Sequence, residues 1–353
     1  MIKFERFKRT RKAAQKIVAP AFKNAGELLG AAELIEEGKK IDNCGAIIKV
    51  LQCENCGNQY FRNFFKCKSK YCPTCAALKG SIWCAKLYLR LQQWLQDGKY
   101  VCFATFTIPA QDDLETALKT IYNAWRYMTN KLVAKEWKTR FAGGLKSVEI
   151  KIGKNSKKWH VHIHALVLRA KYGRDHHFLR EAWIKAVQHI LGKETVVNMP
   201  RIESIKETAK NNKEKDRILA AICETVKYMT KVNTNMTAEQ LKECFNLLKG
   251  RRQIACWGNL YGLSKTVEKE MEEDSDNQIK SFECECGCTI GHFIELWDNT
   301  NTNWQEKELA GNYNEVCKFN AIKETLSNVE SYISEEDDLY KFETNSLHPP
   351  TKN

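Results

Sequence analysis

Between Lys158 and Leu168 the chain reads Lys-Trp-His-Val-His-Ile-His-Ala-Leu-Val-Leu. This alternation, rich in β-branched and aromatic residues, predicts a strand. It turns His160, His162 and His164 to one face and Trp159, Val161, Ile163 and Ala165 to the other. The chain has eight histidines, and three of them fall within five residues at strand period, a row of imidazoles suited to a divalent metal. A polar strand face that happens to carry histidine would account for one such residue but poorly for three. The cysteines also carry metal-ligand spacing. Cys53-Glu-Asn-Cys56 and Cys72-Pro-Thr-Cys75 are separated by fifteen residues, with Cys44, Cys67 and Cys84 nearby. Two such knuckles predict a four-thiolate zinc ribbon built from Cys53, Cys56, Cys72 and Cys75, with Cys67 able to replace Cys53 or Cys56. Cys284-Glu-Cys286-Gly-Cys288 with His292 could seed a second zinc site, although CxCxC is not the usual knuckle and Cys317 would be a distant fourth ligand.

The elements that must hold these groups follow from periodicity. Leu145 to Ile152 alternates, with Ser147, Glu149 and Lys151 on one face, and Gly153 to Lys158 turns it into the histidine strand. Such a hairpin brings Glu149 beside the histidine row, where it and His160 compete to be the third ligand. Tyr100 to Ile108 reads as a central strand stopped by Pro109. Helices are expected from Asp113, over Asp175 to Leu191, and from about Lys213 to Lys231. On the last, Arg217, Glu224, Tyr228 and Lys231 share a ridge about 60° wide, opposite the apolar stripe. A solvated face with an incidental tyrosine would explain that ridge taken alone. Thr237-Ala-Glu-Gln240 is a capping box opening a further helix that Gly250 closes, and Arg251-Arg252 follows.

With 353 residues and 43% hydrophobic composition the chain can bury a sizeable core. Its net charge of +13 is unevenly spread, because Val267 to Asn353 carries −13 and leaves +26 on residues 1–266. A basic body with an acidic tail suits a polyanion such as nucleic acid. No signal-peptide core or bilayer-length apolar run occurs, so the expectation is a cytoplasmic protein with no membrane partner. In that reducing setting the fifteen cysteines point to metal and away from a disulfide framework. The expected organisation is a basic helical segment over 1–43, a zinc-ribbon-like cysteine cluster over 44–90, a catalytic domain over 91–266 and an acidic region over 267–353.

In order, the strand ending Thr-Phe-Thr107, the Glu149 strand, His162-Ile-His164 and Glu224-x3-Tyr228-x2-Lys231 resemble the rolling-circle plasmid replication initiators. These are HUH endonucleases, here of the branch that pairs one tyrosine with an upstream glutamate. The likeness runs from about Cys53 to Gly258. It implies an α+β fold, an HUH-type antiparallel sheet flanked by helices, carrying the zinc-ribbon-like module and the acidic extension. It further implies His162 and His164 as metal ligands, Tyr228 as nucleophile and Glu224 as the base of termination. The ion expected there is Mg²⁺ or Mn²⁺, and Lys231 is available to help ionise the tyrosine. Arg217, Arg251 and Arg252 would contact DNA. Expected partners are the plasmid origin, double- and single-stranded, and a host helicase, polymerase and single-strand binding protein. The alternatives are an HUH transposase or relaxase, a non-catalytic zinc-ribbon nucleic-acid binder, and a zinc phosphoesterase.

Overall fold

The computed structural model describes residues 4–97, 99–169, 175–198, 200–205, 222, 236–272, 284, 286–289, 291–300 and 303–307. Five strands form an antiparallel sheet in the order β6 (Arg201–Ile205), β3 (Tyr100–Thr107), β5 (Trp159–Arg169), β4 (Phe141–Ile152) and β7 (Ile254–Gly258). The histidine strand is therefore central. One face of β5, carrying Trp159, Val161, Ile163, Ala165 and Val167, is fully buried. It packs with α5 (Leu114–Tyr127) and α7 (Asp175–Leu191), whose Ile121, Trp125, Leu179 and Trp183 belong to the same core. Asp113 caps α5 by accepting the Thr116 N–H at 2.7 Å, which satisfies one of the amides a helix start leaves unpaired. Trp183 crosses to the sheet and donates its indole N–H to the Thr107 carbonyl at 2.8 Å.

The opposite face is divided. Its upper half, Val101, Phe103, Leu145, Leu166 and Leu168, is covered by α4 (Pro73–Gln96) and α9 (Leu263–Glu272) through Trp83, Leu87, Leu91, Leu263 and Val267. Ile222, which is fully buried, belongs to this cluster. The lower half holds the histidines.

A second antiparallel sheet has the order β2 (Gln59–Phe64), β1 (Ile47–Cys53), β8 (Gly291–Thr300) and β9 (Asn303–Lys307). The segment 291–307, in the acidic region, thus completes a sheet begun by residues 47–64. α1 (Phe4–Ala13) packs on it, the Phe7 ring against Phe61 and Phe64. α2 (Ala19–Leu28) packs on α3 (Ala32–Asp42) and on α8 (Ala238–Leu248), while α6 (Ala134–Arg140) packs on β4 of the main sheet, Trp137 against Phe141. The capping box opening α8 is formed, Thr237 and Gln240 each accepting the other's backbone N–H. Mixed helix and antiparallel sheet is the expected class, and among the described residues no helix is long and apolar enough to cross a membrane.

Trp183→Ala should cost about 3–5 kcal/mol, since it empties a fully buried indole site and frees the Thr107 carbonyl. Urea denaturation monitored by circular dichroism measures it, and Trp183→Phe should recover most of the loss.

Candidate active site and cysteine centres

Period-two geometry sets the site. His162 of β5 lies between Thr107 of β3 and Glu149 of β4, and His164 lies between Thr105 and Ser147. Each ring is held by a threonine hydroxyl at its Nδ1. Thr105 Oγ1 is 3.1 Å from His164 Nδ1, and Thr107 Oγ1 is 3.1 Å from His162 Nδ1. When Nδ1–H donates to the hydroxyl, the Nε2 lone pair is left for a metal, the usual way an outer partner fixes the tautomer of a ligating histidine. Sequence reasoning missed these two threonines as partners of the histidines, because only the β3–β5 pairing sets them opposite the rings.

Glu149 and His164 are almost wholly buried, and His164 Nε2 faces Glu149 Oε2 at 3.1 Å. Adjacent ligands of an octahedral ion bound at about 2.1 Å stand about 3.0 Å apart, so the pair fits a shared Mg²⁺ or Mn²⁺ as well as a hydrogen bond. Lys151 Nζ lies 2.6 Å from the other oxygen, Oε1. Burial alone would raise the Glu149 pKa, but the His164 hydrogen bond and the Lys151 cation together hold it below its ordinary value. Burial pushes His162 down to about 4, against the pull of Glu149, and so keeps it neutral and able to ligate at neutral pH. His160 is turned away, with its Nε2 3.2 Å from Ser156 Oγ in the hairpin turn. A Cβ on Gly153 would lie 2.6 Å from that nitrogen, so glycine there makes room for the ring.

Tyr228, Glu224, Lys231 and Arg217 lie outside the described residues. Ile222, two positions before Glu224, belongs to the buried apolar cluster that includes Leu166 and Leu168 on the histidine face of the sheet.

The cysteines form two groups of four, each with all its sulfurs within 4.8 Å of one another. Cys44, Cys67, Cys72 and Cys75 make one, with Cys44 and Cys67 at 3.5 and 3.8 Å from Cys75. Cys53, Cys56, Cys284 and Cys286 make the other, with Cys53–Cys286 at 3.6 Å and Cys56–Cys284 at 3.4 Å. Tetrahedral Zn–S bonds of about 2.3 Å put sulfurs about 3.8 Å apart, so either group could hold zinc, whereas a disulfide needs about 2.05 Å. Hydrogen bonds from Cys44, Cys67 and Cys75 hold the Cys72 thiol well below its ordinary pKa. The Cys286 backbone N–H and the Tyr60 hydroxyl bring Cys284 down to about 6. Each group therefore favours one thiolate, at Cys72 and at Cys284, while hydrogen bonds with the neighbouring thiols push Cys44 and Cys56 up, so further deprotonation requires a cation.

This corrects the expected single ribbon, because the two CxxC pairs do not meet. Each β1–β2 strand of six or seven residues spans about 20 Å, so Cys53 and Cys56 at the hairpin tip stand far from Cys72 and Cys75 at its base. The base collects Cys44, just before β1, and Cys67, just after β2. Gly45 permits this crossing, with φ of 75° and the Phe7 ring 2.8 Å from where a Cβ would be. The second expected set is corrected as well. Cys284 and Cys286 join Cys53 and Cys56, while Cys288 packs nearby outside the group and His292 lies on β8.

In buffer without Mg²⁺ or Mn²⁺, stability should fall on acidification. His162 binds its proton less readily folded than unfolded, so stability is complete above pH 6.5 and is lost toward pH 4, by up to about 3 kcal/mol. The depressed Glu149 adds a loss of the same sign as pH falls through its range. Urea titrations at pH 7 and 4.5 should show the His162 component missing from His162→Gln.

No curated protein and no solved structure matches the chain. Residues 59–305 match the model of the Rep_1 family, described as replication protein, a span that includes the histidine strands, three cysteines of the first group and two of the second. That span is well over half of the sequence, and the chain belongs to the Rep_1 family of replication proteins, a plasmid replication initiator family.

Proposed function

We propose that this replication initiator is an HUH endonuclease that nicks one strand of its plasmid origin through Tyr228. The observation that carries the proposal is the buried His164–Glu149 pair with His162 one register step along on adjacent central strands, both imidazoles being held by threonine hydroxyls. Glu149 is the third ligand in preference to His160, whose Nε2 is engaged by Ser156. Mg²⁺ or Mn²⁺ held there would polarise the scissile phosphate. Tyr228 Oη attacks phosphorus in line, the P–O3′ bond breaks, and the products are a 5′-phosphotyrosine and a 3′-hydroxyl that primes synthesis. Lys231 favours the phenolate of a group that is only about 0.1% ionised at neutral pH. Glu224 removes the proton from the water or hydroxyl that ends the round. Support for bringing this segment to the histidines comes from Ile222, buried on their face of the sheet.

Arg217, Arg251 and Arg252 contact origin DNA, and the replication role calls for a host helicase, polymerase and single-strand binding protein in a cytoplasmic setting. Zinc occupies both cysteine groups and fixes the second sheet.

Incubated with Mn²⁺ and supercoiled DNA of its own replicon, the wild type should give relaxed circles with protein on the 5′ end. Tyr228→Phe and His162→Ala should give none, and nicking by Tyr228→Phe would sink the mechanism. Thr107→Val should lower metal affinity or rate by about 10–100-fold, the usual cost of losing an outer partner. Elemental analysis should find two zinc ions per chain, with Cys67→Ser and Cys286→Ser each losing one and keeping the other.

A further inference from the structure

A cavity of about 290 Å³ opens between the loop after β2, the start of α4, the loop before β7, and α9. Lys68, Lys79, Arg251 and Arg252 line it, together with Lys70, whose Nζ already donates to the Leu248 carbonyl. Glu268 and Glu272 of α9 also line it, so its walls carry five cations and two carboxylates, net +3. The Trp83 indole, 1% exposed, forms part of the wall, and its Nε1–H has no acceptor among the described residues. A buried indole donor without a partner is costly unless a ligand or water accepts from it.

The volume lies just below the roughly 300–1,000 Å³ of drug-sized ligand cavities, of the size of one nucleotide and too small for a helix or strand. A bare polyphosphate would suit the lysines and arginines but would be repelled by the two carboxylates. A nucleotide satisfies both, since its phosphate is anionic and the amine of a cytosine, adenine or guanine donates to carboxylates. The position is also suitable. Ile254, in the wall, pairs with Ser147, which pairs with His164. At about 4.8 Å per strand, the wall is about 10 Å from the histidine backbone.

We infer that this cavity is a subsite for one nucleotide of single-stranded DNA, with its phosphate on the Lys68, Lys79, Arg251 and Arg252 side and an amine-bearing base toward Trp83, Glu268 and Glu272. The inference rests on the proposed DNA-nicking function and adds a base preference to it.

Fluorescence anisotropy of the full chain with labelled d(C)12 and d(T)12, across a salt series, tests it. The wild type should bind d(C)12 about tenfold more tightly. Glu268→Gln combined with Glu272→Gln should abolish that preference. Arg251→Gln should weaken both oligonucleotides and reduce the salt slope by about one. Ser264→Tyr, which fills the cavity from α9, should also remove the preference while the circular dichroism stays that of the wild type. Equal binding of d(C)12 and d(T)12 by the wild type would overturn the subsite, as would unchanged preference in Ser264→Tyr. Tyr228→Phe separates the two ideas. Loss of nicking with no base preference removes the subsite alone, whereas nicking without Tyr228 together with an intact preference removes the nicking mechanism alone.

Discussion

The register of β5 between β3 and β4 is the constraint on which the site depends. Each strand contributes residues at period two, so pairing Thr107, His162 and Glu149 across three strands also pairs Thr105, His164 and Ser147 one step along. A slip of one residue would turn Trp159, Val161 and Ile163 into water and the histidines into the helix-packed core. The apolar face therefore holds the polar one in place, and the burial of Trp159, Val161, Ile163 and Ala165 fixes where the imidazoles stand. The helices α5 and α7 act on the site indirectly, by closing that core.

The second sheet obeys a different economy. Its base shares the main core through Ile48, Val50 and Phe64, and its tip and base are each tied by a group of four thiols. The base group adjoins the main core, where Cys44, Cys72 and Cys75 are buried with Phe7, Phe22 and Tyr71. At the tip, Cys56 and Cys286 are exposed. Thiolates drawn together this closely repel one another without a cation, so holding such groups is most economical when an ion neutralises them.

Much of the main sheet was legible in the sequence, because its signals are local. Alternation in 145–152 and 159–168 located the hairpin and the neighbour of each histidine, and the helical period over 175–191 gave α7 at its observed bounds. The threonine contacts needed the pairing of β3 with β5, which no local pattern states. The cysteines misled for the same reason. Two CxxC pairs close in sequence looked like partners, while the true partners of Cys53 and Cys56 lie more than 220 residues away. Strand length, not spacing, decides which thiols meet. Glu224, Tyr228 and Lys231 were read from a helical ridge and a family pattern, and they fall outside the described residues.

The joining of β8 to β1 also bears on how the chain is made. Cys53 and Cys286 are 233 residues apart, and at about 5–20 residues per second a ribosome needs roughly 10–50 s to cover that interval. Throughout that time β1 has β2 on one side and an unpaired edge on the other, with a reduced cysteine pair at its end. The four-stranded sheet closes only after β8 and β9 have been made. Its assembly is thereby tied to a segment made long after β1, and a ribosome that stops between the two releases a chain whose first sheet is still open.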